Sequence, residues 1–76
     1  MKIYEVKDGG DGITLGSYLT IEAALACAAK EDYVEYIFEL ELNENTFEFT
    51  NTGITWERDW RKTGKEMVKH HDAPEN

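Results

Sequence analysis

The sequence predicts a small α+β domain: one antiparallel sheet in β-β-α-β-β order, with a single alanine-rich helix on one face. Three observations carry this. Residues 33–42 alternate apolar and polar with a period of two. Residues 21–31 carry one apolar stripe at helical spacing. Clusters of Gly, Asn and Asp separate these segments from short β-type runs. An antiparallel sheet with one helix packed on it satisfies that order.

The chain opens on Lys2 to Lys7, in which Tyr4 and Val6 share one face and Ile3, Glu5 and Lys7 the other. Asp8-Gly9-Gly10-Asp11-Gly12 follows, a glycine-rich turn that leads into a second short strand over residues 13–18. Thr20 stands where a helix N-cap is expected, with Glu22 in the first turn, where the helix dipole favours an acid. Ile21, Ala24, Leu25 and Ala28 fall at i, i+3, i+4 and i+7. Glu31 and Asp32 oppose the dipole at the far end and help stop the helix.

The clearest element is Tyr33 to Leu42, which spans roughly 33 Å as a strand. Val34, Tyr36, Phe38, Leu40 and Leu42 alternate with Tyr33, Glu35, Ile37, Glu39 and Glu41. This pattern predicts that the helix packs on the Val34–Leu42 side and that the acid-bearing side faces water. Asn43-Glu44-Asn45 supplies a turn, and residues 46–50 return as a partner strand with Glu48 on the acidic face. Asn51-Thr52-Gly53 reads as a second turn, and residues 54–56 as a short further strand. A short helix or irregular segment is expected after Trp56. The single domain is expected to span 1–69, with a disordered tail over 70–76.

Composition bounds the function. Seventy-six residues suffice for one domain, and 41% hydrophobic content with many aromatic and β-branched residues argues against wholesale disorder. The net charge is −8, distributed as −9 over residues 1–57 and +1 over residues 58–76. Such a body repels nucleic acid and anionic membranes and attracts basic protein surfaces. The lone Cys27 cannot form an internal disulfide, no apolar run reaches the ~20 residues of a membrane span, and the first residues lack the apolar core of a signal peptide. A cytoplasmic location is expected.

The partner-binding residues predicted from this pattern are Glu35, Glu39, Glu41 and Glu48, with Tyr33 and Ile37 as apolar anchors. Carboxylates at i, i+2 and i+4 of a strand lie ~6.6 Å apart on one face, a row that resembles phosphate spacing in coarse outline. The plain alternative is the solvated face of a half-buried sheet. Trp56, Arg58, Trp60, Arg61, Lys62 and Lys65 interleave rings and bases, a pattern that either stacks on nucleic-acid bases or caps the sheet; the charge elsewhere favours capping. Cys27 lies mid-helix among alanines, where a small core or boundary residue is expected. His70, His71 and Asp72 lack the further ligands and supporting contacts of a metal site, so no metal or cofactor is expected. No serine, cysteine or lysine stands in the setting of an activated nucleophile, so the reading is non-enzymatic.

In size and charge the chain resembles the small acidic inhibitors that phages and mobile elements make against host nucleases. The resemblance implies an acidic sheet face that blocks a basic, nucleic-acid-binding surface. The alternative is a structural protein that self-associates, as in a homodimer, through an exposed sheet face or edge.

Overall fold

The computed structural model describes residues 1–10, 12–59, 61 and 66–71. Its elements run β1 (Lys2–Asp8), β2 (Thr14–Tyr18), α1 (Ile21–Lys30), β3 (Val34–Asn43), β4 (Glu48–Arg58) and β5 (Met67–His71). All five strands form one antiparallel sheet in the order β2-β1-β3-β4-β5. The expected α+β architecture is present, with one strand more than the sequence pattern suggested.

Local chemistry explains the helix bounds. The Thr20 hydroxyl accepts from the Ala23 amide at 3.2 Å, satisfying one orphan donor of the first turn. Ala24 and Ala28 are fully buried, and Ile21 and Leu25 pack against the same cluster, as the helical stripe predicts. At the C-terminus, Arg58 reaches in from β4. Its Nη2 donates to the Ala28 carbonyl at 3.0 Å and the Glu31 carbonyl at 2.9 Å, and its Nε donates to Val34 O at 2.9 Å. A guanidinium fork thus occupies carbonyls that the last turn leaves open.

The core is Val6, Ala24, Ala28, Val34, Ile37 and Trp56. This corrects the expected layering. Residues paired directly across antiparallel strands share a face, and Ile37 pairs with Val6 and with Trp56. The helix therefore covers the side that bears Ile37 and Glu39. Tyr36, Phe38, Leu40 and Leu42, expected beneath the helix, line the opposite side. Val34 joins the core because the β1–β3 register shifts between Lys7 and Asp8, which turns this end of β3 over.

Three further expectations change. Asn51-Thr52-Gly53 does not end a strand: β4 runs through it as a bulge, with Thr52, Gly53 and Ile54 opposite Glu39 alone. Gly53 adopts φ 88, a conformation that glycine alone enters at little cost. The segment after Trp56 continues β4 to Arg58, and a fifth strand begins at Met67 within the expected helix or irregular stretch, of which residues 60 and 62–65 lie outside the described residues. His70 and His71 end that strand instead of beginning a tail, because its backbone completes the ladder on β4. The remaining positions of the expected tail, 72–76, lie outside the described residues, as do Trp60, Lys62 and Lys65.

Candidate functional site

The register aligns the helix-free face in rows. Lys7, Tyr36, Glu57 and Val68 form one row, with Thr14 beside Lys7. Glu5, Phe38, Thr55 and His70 form the next, and Ile3, Leu40 and Asn51 a third. Leu42 and Phe49 close the face at the β3–β4 turn. The rings of Tyr36 and Phe38 stack at 5.6 Å between centroids, as side chains two apart on one strand face can. Tyr36, Phe38, Leu40, Leu42, Ile3 and Val68 are only half-buried, and Phe49 is exposed. An apolar midline along β3 thus stands open, flanked by polar groups: Glu5 and Lys7 pair at 3.4 Å, and Glu57 and His70 lie 3.5 Å apart.

The β3–β4 turn adds a residue that the alternation could not flag. The Asn43 side-chain oxygen accepts from the amides of Asn45 and Thr46, and the Phe47 amide donates to Asn43 O at 2.7 Å. This closes a tight turn that holds Phe47 at φ 58 with 77% of its surface exposed. A bulky side chain in the left-handed region costs about 1 kcal/mol or more, and exposure of the ring recovers nothing within the described fold. Sequence reasoning placed Phe47 in a strand; only the turn geometry shows the strain.

The residues predicted to form the acidic docking row are not presented together. Ile37 is fully buried in the core. Glu39 is 5% exposed and lies inside the β4 bulge. Its carboxylate accepts from Thr52 Oγ1 at 2.9 Å, from Lys2 Nζ at 3.3 Å and from the Tyr4 hydroxyl. Burial pushes the Glu39 carboxyl up, but those three donors and the Lys2 charge outweigh it, so Glu39 ionises below the usual carboxylate range. Glu41 is exposed but meets the Met1 ammonium at 2.6 Å, and that hydrogen bond lowers its pKa. Glu48 is exposed at the start of β4, opposite Asn43. Glu35 is half-buried, where it accepts from the Tyr36 hydroxyl and raises the phenol's pKa. Tyr33 is exposed just before β3, and its hydroxyl donates to Glu31. The sequence identified the alternation, but burial and pairing break the row.

Other candidates resolve into local roles. Trp56 is core, meets Tyr4 edge-on at 5.7 Å and lies under Lys69 at 5.5 Å. Arg58 is buried against the helix end. Arg61 lies in the open and donates to Asp59 at 3.1 Å. Cys27 is half-buried on α1, within hydrogen-bonding reach of the Tyr18 hydroxyl. His70 pairs with Thr55 on the open face and His71 with Ile54 on the helix side, so the adjacent imidazoles diverge. A cleft of about 290 Å³, lined by Glu57, Arg58, Asp59, Arg61, Val68 and His70, borders the open face at its β4–β5 edge. Among the described residues, no helix is long and apolar enough to cross a membrane. No protein-family model, curated protein or solved structure gives a significant match to this chain.

Proposed function

We propose that this protein is a non-catalytic protein-binding module whose docking surface is the helix-free sheet face. The observation that carries the reading is the open midline of Tyr36, Phe38, Leu40 and Leu42, extended sideways by Ile3 and Phe49. An apolar, aromatic-rich centre with a charged rim is the anatomy of a protein interface. The strained, exposed Phe47 beside it fits the same role, since strain that the monomer does not use points to a contact made elsewhere.

The net charge of −8 supports a second reading, in which a basic protein binds the remaining surface. Its acids are the exposed Glu22, Asp32 and Glu44, together with Glu41 and Glu48 from the predicted row. The inhibitor-like resemblance places nucleic-acid-binding proteins among the targets of that reading.

Capture from a cell lysate separates the two. Immobilised wild type is compared with F38E/L42E on the open face and with A26E on the exposed side of the helix, each first shown to fold by circular dichroism and urea unfolding. On the open-face reading, A26E retains the proteins held by wild type, added copies of this chain included, and F38E/L42E loses them. Equal retention by all three overturns it. Release by salt and by competing DNA from all three marks the charge-driven reading instead.

A further inference from the structure

The rows on the open face have a symmetry that names an occupant. β3 is the central strand, with β1 on one side, β4 on the other, and β2 and β5 outside them. In the row through Tyr36, the base Lys7 stands on one side of the midline and the acid Glu57 on the other, each ~4.8 Å from it. A two-fold axis parallel to β3, lying between two stacked sheets, exchanges left for right and preserves the level along the strand. It sets Lys7 of one copy over Glu57 of the next, twice. Tyr36, Phe38, Leu40 and Leu42 then meet their own counterparts along the axis. We propose, resting on the open-face reading above, that a second copy of this chain covers this face in a two-fold, face-to-face dimer whose axis follows β3.

Area and charge support the same occupant. Five strands at ~4.8 Å and about seven residues at ~3.4 Å give a footprint of roughly 570 Å² per copy. Two copies lose roughly 1,100 Å² of footprint, close to the lower end of specific interfaces at about 1,200 Å². Aligned sheets stack ~10 Å apart, which matches a layer of Tyr, Phe and Leu side chains. The net −8 of each copy opposes association in general, and the Lys7–Glu57 cross-pairs offset part of that opposition at this face. Here Glu5 stands beside Lys7 and Glu57 beside His70. Of the other acids, Glu22, Glu31 and Asp32 belong to α1 and its C-terminal connection and Glu44 to the β3–β4 turn, while Glu35 meets the Tyr36 hydroxyl at the edge of this face. Their longer-range repulsion is screened beyond ~8 Å at physiological salt.

Sedimentation velocity over a concentration series up to about 1 mM tests the arrangement through a charge swap. Wild type dimerises reversibly. K7E and E57K each place like charges in register and raise the dimer Kd about tenfold or more. The K7E/E57K double variant restores both cross-pairs and returns to within about threefold of wild type. Urea unfolding of each variant shows that the monomer fold is kept, and F38E, which places two carboxylates on the axis, abolishes the dimer by a second route. A monomer at every concentration overturns the proposal, as does a dimer that ignores the single reversals or is not rescued by the double. Capture of a different protein through the same face, with the chain itself monomeric, overturns this proposal and leaves the open-face reading standing.

Discussion

Glu39 shows how one buried carboxylate organises its surroundings. Three residues of β4 bulge around it, and Thr52, Lys2 and Tyr4 donate to it. Its folded pKa lies below the usual value, so its contribution is complete above the unfolded pKa and is lost as pH falls through the folded one. E39Q should therefore destabilise the fold by about 1–3 kcal/mol at pH 7. The gap should close as the pH drops below about 4, which urea unfolding at a series of pH values measures. Phe47 makes the opposite case. Phe47→Gly relieves the φ 58 strain and should raise stability by about 0.5–1 kcal/mol, while weakening capture of any partner that uses the ring. Neither effect is legible in the sequence. Glu39 occupies a position equivalent to Glu41 in the alternation, and only the bulge buries it.

At the scale of elements, α1 is the part most legible in the sequence. Its N-cap and its stripe follow from local rules at Thr20, Ala24 and Ala28 that do not depend on the rest of the chain. Its C-terminus is tertiary. Arg58 is twenty-seven positions beyond Glu31 yet supplies donors to Ala28 O, Glu31 O and Val34 O while only 4% exposed. R58A should cost about 3 kcal/mol or more in urea unfolding. R58K should recover only part of it, because an ammonium cannot reproduce the fork. A domain of this size has roughly 4–11 kcal/mol in all, so this one side chain joins the helix to the sheet with a large share of the total. β4 and β5 were read poorly for a related reason. Asn51-Thr52-Gly53 carries turn chemistry, but a bulge built on a left-handed glycine uses the same residues, and local sequence does not separate the two.

At the scale of the whole molecule, charge and topology act on every contact at once. With net −8 in one domain, self-repulsion opposes compactness. Raising ionic strength from about 0.01 M to 0.15 M shortens the screening length from ~30 Å to ~8 Å. Tm should rise by a few degrees over that range, as followed by circular dichroism; a fall would mean that pairs such as Lys2–Glu39 outweigh the repulsion. By itself the sequence determined the α+β class, the helix, the two-sided alternation of β3, the turn after it and the acidic balance, because each rests on local period or composition. Only the tertiary structure decided which side of β3 is covered. β2 and β3 both run antiparallel to β1, so α1 joins two parallel strands across it. Such a crossover is right-handed in ~98% of cases, and its hand, not the hydrophobicity of either side, selects the helix's face. The strand order that makes it a crossover is a long-range pairing with no local signature. For that reason Ile37 lies in the core beneath the helix, Glu39 faces the same side, and Tyr36, Phe38, Leu40 and Leu42 stand open.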